Sequence, residues 1–367
     1  MQPSQFFNRH FAVVLAAGAI ACSAPDSVNS PRALTELQLD AARPTDPGYT
    51  VVELPTFPGD RESFAVDVND AGAVVGYGVG STFPRGFVLT ETSSPPIPLG
   101  DATSWSRGLA ISSGSNGSPL YVVGDYASNT ENSHATRWTV DAVAGTATGT
   151  SLSTESGYAN GVNDAGKAVG SSGSDAVIWD LDGTATTIVP PEATFTNGVG
   201  RDINNADHSV FNFTGPSYTR TYFRNADGRM IELPPLSGDV STFGRRVSEV
   251  SGTTVYVAGT SFLNDNSFHA MRWTIDLTTN SIVIAEPRSE TSSSSDVSTG
   301  GSVSGSLQGR QKDTPFLWRL TGLLTLNPPK GGGSADASGI SDNGTYLVGQ
   351  AFIRQHRRAV LWTFSAP

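Results

Sequence analysis

The sequence predicts an all-β chain folded as a β-propeller of about seven four-stranded blades, with an N-terminal strand completing the last blade. Three observations predict it. A phrase recurs seven times with a period of about 45 residues, short β-branched and aromatic segments alternate with Gly, Asn and Asp turns, and no long stretch keeps apolar residues at helical spacing, a short possible helix through Leu34, Leu37 and Leu39 apart. A single four-stranded sheet has two apolar faces that it cannot cover alone. Such units must stack, and closing the stack into a ring removes the exposed edges.

The first landmark of the repeat is an Asn or Ser after Val or Ile, at Asn69, Ser112, Asn163, Asn204, Ser251, Ser298 and Ser341, with spacings of 43, 51, 41, 47, 47 and 43. The second is an apolar triplet ending in glycine, at Gly76, Gly124, Gly170, Gly259, Gly305 and Gly349; the fourth copy reads Val210-Phe211-Asn212 instead. The third is a large apolar residue further on, at Leu89, Trp138, Trp179, Phe223, Trp273, Trp318 and Trp362, so five of the six tryptophans share one repeat position. Runs such as Met230-Ile231-Glu232-Leu233-Pro234 and Leu323-Leu324-Thr325-Leu326 read as fourth strands. Thr50-Val51-Val52-Glu53-Leu54-Pro55 is an orphan of that class, expected to pair beside Ala359-Val360-Leu361-Trp362-Thr363.

The Val-Asn-Asp-Ala-Gly and Val-Val-Gly strings, followed by His134-Ala135-Thr136-Arg137-Trp138-Thr139, His269-Ala270-Met271-Arg272-Trp273-Thr274 and Arg358-Ala359-Val360-Leu361-Trp362-Thr363, resemble the HAF-type bacterial extracellular repeat over roughly residues 49 to 364. The resemblance implies an exported, repetitive propeller and brings no activity with it.

The first 21 residues read as a secretory signal, polar to His10 and apolar from Phe11 to Ala21. Eleven apolar residues are too few for the roughly 20 of a membrane-spanning helix. Ala19-Ile20-Ala21-Cys22 resembles the lipobox of bacterial lipoproteins, in which the cysteine is acylated; cleavage by ordinary signal peptidase at an Ala-x-Ala-like site is the competing reading. Cys22 is the sole cysteine and has no disulfide partner in the chain, which favours acylation. Residues 22–48, rich in Pro, Ser and Asp, read as a flexible tether, and 49–367 as the propeller. The chain is therefore expected in the cell envelope, held to a membrane (outer membrane or cell surface) through its lipid, or secreted if unacylated.

A formal charge of −11, and thinly spread Lys and Arg, argue against nucleic acid, whose binding needs clustered cations. Asn69-Asp70-Ala71-Gly72 and its copy at 163–166 fit tight turns better than Ca²⁺ loops, because the ligand spacing fails. No metal or cofactor is expected, the histidines lacking zinc-type spacing. No Gly-x-Ser-x-Gly or phosphate loop occurs. The Ser-rich run after Thr291 reads as a loosely packed sixth repeat. Trp105 lies outside the repeat position and is a candidate ligand contact, although rim packing also explains it. Asp67, Glu249 and Asp336 recur near the inner strands and could face the channel. With no catalytic constellation, the expected function is a monomeric, non-enzymatic binding or assembly module with a protein or glycan ligand. A glycan lyase or hydrolase working at the channel mouth is the alternative, and a purely structural envelope component is a third possibility. Acidic, Arg, His or Tyr side chains converging at one channel end would favour the enzyme.

Overall fold

The small-apolar alternation of the Ala-x-x-Val/Ile phrase makes a strand that packs closely against neighbours on both sides. In the computed structural model, which describes residues 48–364 apart from 81–82, 102, 115–117, 129–131, 266 and 288–290, this phrase forms the innermost strand of every blade. The inner strands are Glu62–Val68, Trp105–Ile111, the C-terminal part of Thr146–Val162, Asn197–Ile203, Ser241–Val247, Ser292–Val297 and Ala335–Ile340. Seven four-stranded antiparallel blades form the propeller, and the described residues contain no helix. The signal segment, Cys22 and most of the tether lie outside the described residues.

Thr146–Val162 serves two blades at once. Its first half is the outer strand of blade 2, paired with His134–Asp141, and its second half is the inner strand of blade 3, paired with Ala168–Ser172. Blade 7 is closed by the start of the domain: Tyr49–Glu53 pairs with His356–Phe364, from Tyr49 opposite Phe364 to Glu53 opposite Val360. The Tyr49 hydroxyl accepts the Asn327 N–H at 2.8 Å, and buried Leu54 packs with Phe87 and Leu89 of blade 1 and Leu361 of blade 7.

The apolar core is divided among the seams between blades. Seven buried clusters each span one seam, and the third-strand landmark supplies the bulk of most of them. Leu89, Trp179, Phe223, Trp273 and Trp362 are almost wholly buried, with Trp138 and Trp318 nearly so. Each is worth a few kcal/mol of burial. Trp273 and Trp362 also donate their indole N–H to Pro234 O and Asn327 O of the preceding blade, both at 2.8 Å. The arginine before two of the tryptophans reaches forward instead: Arg137 and Arg272 donate to the carbonyls of Gly166 and Gly301, turn glycines of the next blade with positive φ. The Ser-rich run is not loose. Ser292 and Ser294 are fully buried, with Ser292 Oγ accepting from Ala270 N and Ser294 Oγ donating to Met271 O, because small hydroxyls fit a tight seam and satisfy the neighbouring backbone.

The anchor residues end the inner strands. Asn69, Ser112, Asn163, Asn204, Ser298 and Ser341 each accept, through the side chain, the backbone N–H that begins or leads into the second strand, at 2.9–3.1 Å. In blade 5 the position belongs to Ser248, which accepts from Tyr256 N at 2.9 Å, and not to Ser251, which lies in an exposed turn bridged to Thr254. Val250-Ser251 mimics the phrase in sequence, but the strand has already ended at Val247. Where the anchor is Asn, its amide also stitches blades, donating from Asn69 to Ser112 O, from Asn163 to Asn204 O and from Asn204 to Ser248 O.

Removal of residues 49–54 leaves the outer edge of blade 7 unpaired and uncovers Leu361. A fall of the melting temperature by on the order of 10 °C is expected in a thermal melt, and an unchanged melt would contradict closure by this strand.

Candidate functional site

Every inner strand carries a β-bulge. The register between first and second strands slips by one residue in all seven blades, leaving Val66, Leu109, Asn160, Arg201, Arg245, Ser295 and Ser338 as the extra residue. The repeated glycine explains the slip: a Cβ on Gly76, Gly124, Gly170, Gly305 or Gly349 would stand 1.9–2.1 Å from a carbonyl oxygen of the inner strand. A bulge re-aims side chains. Here it sends two consecutive residues per blade to the central channel, the extra residue and its successor.

The successors are Asp67, Ala110, Gly161, Asp202, Arg246, Asp296 and Gly339. Three carboxylates thus face one guanidinium. Arg246 crosses the channel from blade 5. Its Nη1 lies 2.8 Å from Asn160 O and 3.4 Å from Asp202 Oδ1, and its Nη2 lies 2.9 Å from Leu109 O and 3.6 Å from Asp67 Oδ2. One side chain therefore holds blades 1 to 5 at the axis. Burial works against its charge, but Asp67, Asp202 and Asp296 together keep it above the usual guanidinium value. The plug separates a cavity of about 70 Å³ on the acidic side from one of about 180 Å³ on the other.

On the acidic side, Asp70, Asp164, Glu249 and Asp342 follow their anchors and form an outer rim above Asp67, Asp202 and Asp296. Six of these carboxylates accept a backbone N–H from a neighbouring blade. Asp67 takes Ile111 N, Asp202 takes Val247 N, Asp296 takes Ile340 N, Asp70 takes Asn343 N, Asp164 takes Gly114 N and Glu249 takes Asn205 N, all at 2.8–3.1 Å. They are clips between blades, each worth about 1–3 kcal/mol, the upper end applying where the carboxyl is ionised. Burial, then the nearby Glu249 and Asp70 charges, pushes Asp342 up to about 8; burial does the same to Asp296, to about 8, and to Asp202, to about 6. Asp67 and Glu249, expected near the channel, are both here.

The opposite mouth is basic and aromatic. The bulge residues line it, and two of them, Arg201 and Arg245, lie against one ring: their guanidinium carbons are 4.8 and 5.4 Å from the Phe243 centroid. Among the described residues neither makes a hydrogen bond or an ion pair, and Arg201 Nε is buried without any acceptor. Loss of solvent and then the neighbouring Arg245 push Arg201 down to about 10, while burial and then Arg246 lower Arg245. Five residues before the anchors, Phe64, Arg107, Tyr158, Phe243 and Asp336 occupy one level of this mouth. Phe64 stacks on Tyr77 at 4.9 Å, and burial pushes Asp336 up to about 6. Trp105, two residues before Arg107, sits at its rim and donates its indole N–H to Asp125, which also receives Arg107 at 2.9 and 3.0 Å. The histidines are not gathered: His134 meets Glu155 O, His208 is beside Asn204 and His269 lies near Asp239, on three separate blades. Arg201, Arg245, Arg246, Asp202 and Asp296 are site residues that landmark reading alone passes over. Counting back from Ser248 places Arg246 in line with the three aspartates; counting from Ser251 does not.

In fold, the chain is similar to virginiamycin B lyase from Staphylococcus aureus, with a TM-score of 0.54, 11% identity, and 86% of this chain and 100% of that chain covered. It is also similar to prolyl oligopeptidase B from Galerina marginata, with a TM-score of 0.50, 11% identity and 84% of this chain covered, and it spans about half (50%) of that enzyme's length. At such identities the likeness is one of fold. No family model and no curated protein matches the chain.

Replacing Arg246 by Met leaves the facing carboxylates without their counter-charge and should cost about 3–5 kcal/mol in urea unfolding. Carboxyls with raised values bind more protons folded than unfolded, so their contribution is full below about pH 4 and is lost as pH rises towards 8. The wild-type melt is therefore expected to fall by a few degrees between pH 5 and pH 8.5, more steeply in R246M and less steeply in D296N. A flat profile in all three would contradict the charge balance described.

Proposed function

We propose that this chain is an exported, envelope-tethered propeller of the HAF-repeat type that works as a binding module, taking its ligand at the arginine-lined mouth of the channel. One contrast carries the reading. At the acidic end six carboxylates are engaged in joining blades, whereas at the basic end Arg201 and Arg245 make no hydrogen bond or ion pair among the described residues and line a cavity of about 180 Å³. Groups that hold the fold have partners within it; polar groups converging in a cleft without partners are those available to a ligand. The half-buried aromatics Phe64, Tyr77, Tyr158 and Phe243 supply the apolar surface such a site needs. Export and tethering rest on the signal-like first 21 residues and on Cys22 as the sole cysteine.

A second reading, a glycan lyase or hydrolase, is favoured by one observation. Asp336, raised to about 6, lies within electrostatic reach of Tyr77, so a base and a proton donor stand together near this mouth. The fold-level likeness to virginiamycin B lyase is compatible with it.

Glycan and peptide arrays probed with the purified protein are expected to return ligands whose capture is lost in a Phe243→Ala variant that still melts cooperatively, with no turnover of the captured ligand. Release of shortened or unsaturated products would move the assignment to the enzyme. Cys22→Ala is expected to shift the protein from the membrane fraction to the soluble one and to abolish incorporation of labelled fatty acid; membrane retention by this variant would exclude the lipid tether.

A further inference from the structure

We infer that the arginine-lined mouth is a carboxylate site for an acidic glycan, with Arg201 and Arg245 taking the carboxylate of a uronic acid and the surrounding aromatic side chains taking its sugar ring. The inference rests on the binding-module reading and adds the chemical class of the ligand.

The first ground is energetic. Two guanidinium groups lie against the same Phe243 ring with no ion pair among the described residues, and a third, Arg246, follows Arg245 in the chain, itself committed to Asp67 and Asp202. Arg245 is exposed and Arg201 half-buried, so the cost falls on Arg201: the neighbouring like charge repels it, and burying its Nε without an acceptor costs further free energy. Serine or valine fills the same bulge position in blades 1, 6 and 7, so the fold does not require arginine there. A pair that weakens the empty protein becomes favourable once an anion lies between its members.

The second ground concerns which anion. Arginine presents a planar fork matched to carboxylate and phosphate alike. The volume separates the two: about 180 Å³ exceeds what one small oxyanion fills and suits a carboxylate with part of the ring that bears it.

The third ground is the aromatic surround. Phe64 and Tyr77 stacked together, Trp105 beside Arg107, and Tyr158 next to Arg201 in the channel ring are all half-buried and distributed over three blades. They offer flat apolar faces beyond the cation pair, where an extended chain of sugar rings leaving the channel would pass. The chain's formal charge of −11 opposes indiscriminate attraction of polyanions, so affinity must come from this local arrangement.

The test is titration calorimetry of the full protein with four probes: a galacturonic acid trimer, its methyl ester, a neutral galactose trimer and inorganic phosphate. The acid trimer is expected to bind, with the ester and the neutral trimer at least about tenfold weaker and affinity falling with added salt. Arg201→Gln and Arg245→Gln should each weaken the acid trimer by at least about tenfold, while the ligand-free R245Q protein melts no lower than the parent, since a repulsion has been relieved. Equal binding of neutral and acid trimers, or full affinity retained in R245Q, overturns the inference. Tighter binding of phosphate than of the trimer also overturns it, assigning the mouth to small oxyanions. If neutral ligands are captured at this mouth and acidic ones are not, the carboxylate class fails while the binding module stands; if no array ligand of any kind is captured, both fail.

Discussion

The fold depends on the seam between blades. A four-stranded sheet of this size exposes two apolar faces, and each of the seven buried clusters is shared by two neighbouring blades, so no blade owns a complete core. The ring must therefore close, and closure forces seven inner strands to converge. Convergence brings side chains from distant parts of the sequence to one axis, where charge has to be balanced in a narrow, poorly solvated space. Arg246 among Asp67, Asp202 and Asp296 is the answer to that demand. The backbone clips at the acidic end distribute the same balance around the rim.

Seen this way, the two ends of the channel differ in kind. At one end nearly all polar groups are satisfied by neighbouring blades, which makes that end part of the scaffold. At the other the bulges present arginine where other blades present serine, valine, leucine or asparagine, and among the described residues no ion pair answers those charges. A scaffold that can tolerate small neutral residues at a position, yet carries cations there, has room for a role that stability alone does not explain.

Much of the architecture is legible in the chain, because the repeat records local geometry. The glycine of the Val-Val-Gly triplet is required by the bulge, the Asn or Ser by the turn that follows, and the tryptophan by the seam. The orphan segment at residues 50–55 is recognisable as a fourth strand without a blade. Less of the site is legible, for a physical reason. Its residues occupy the positions where repeats are free to differ, since side chains pointing into a channel do not pack against the next blade. Their grouping appears only when register is known, and in blade 5 Val250-Ser251 imitates the landmark three residues late. Trp105 was discernible as an outlier because it alone among the tryptophans breaks the period.

The closing strand has a mechanical consequence. Tyr49 and Phe364 face each other at the same end of an antiparallel pair, so the two extremities of the propeller leave side by side. Tension between them would part the pairs singly, beginning with Tyr49, as a zipper opens, in place of loading all five together in shear. The point at which the ring is fastened is thus also the point at which a modest pull would unfasten it.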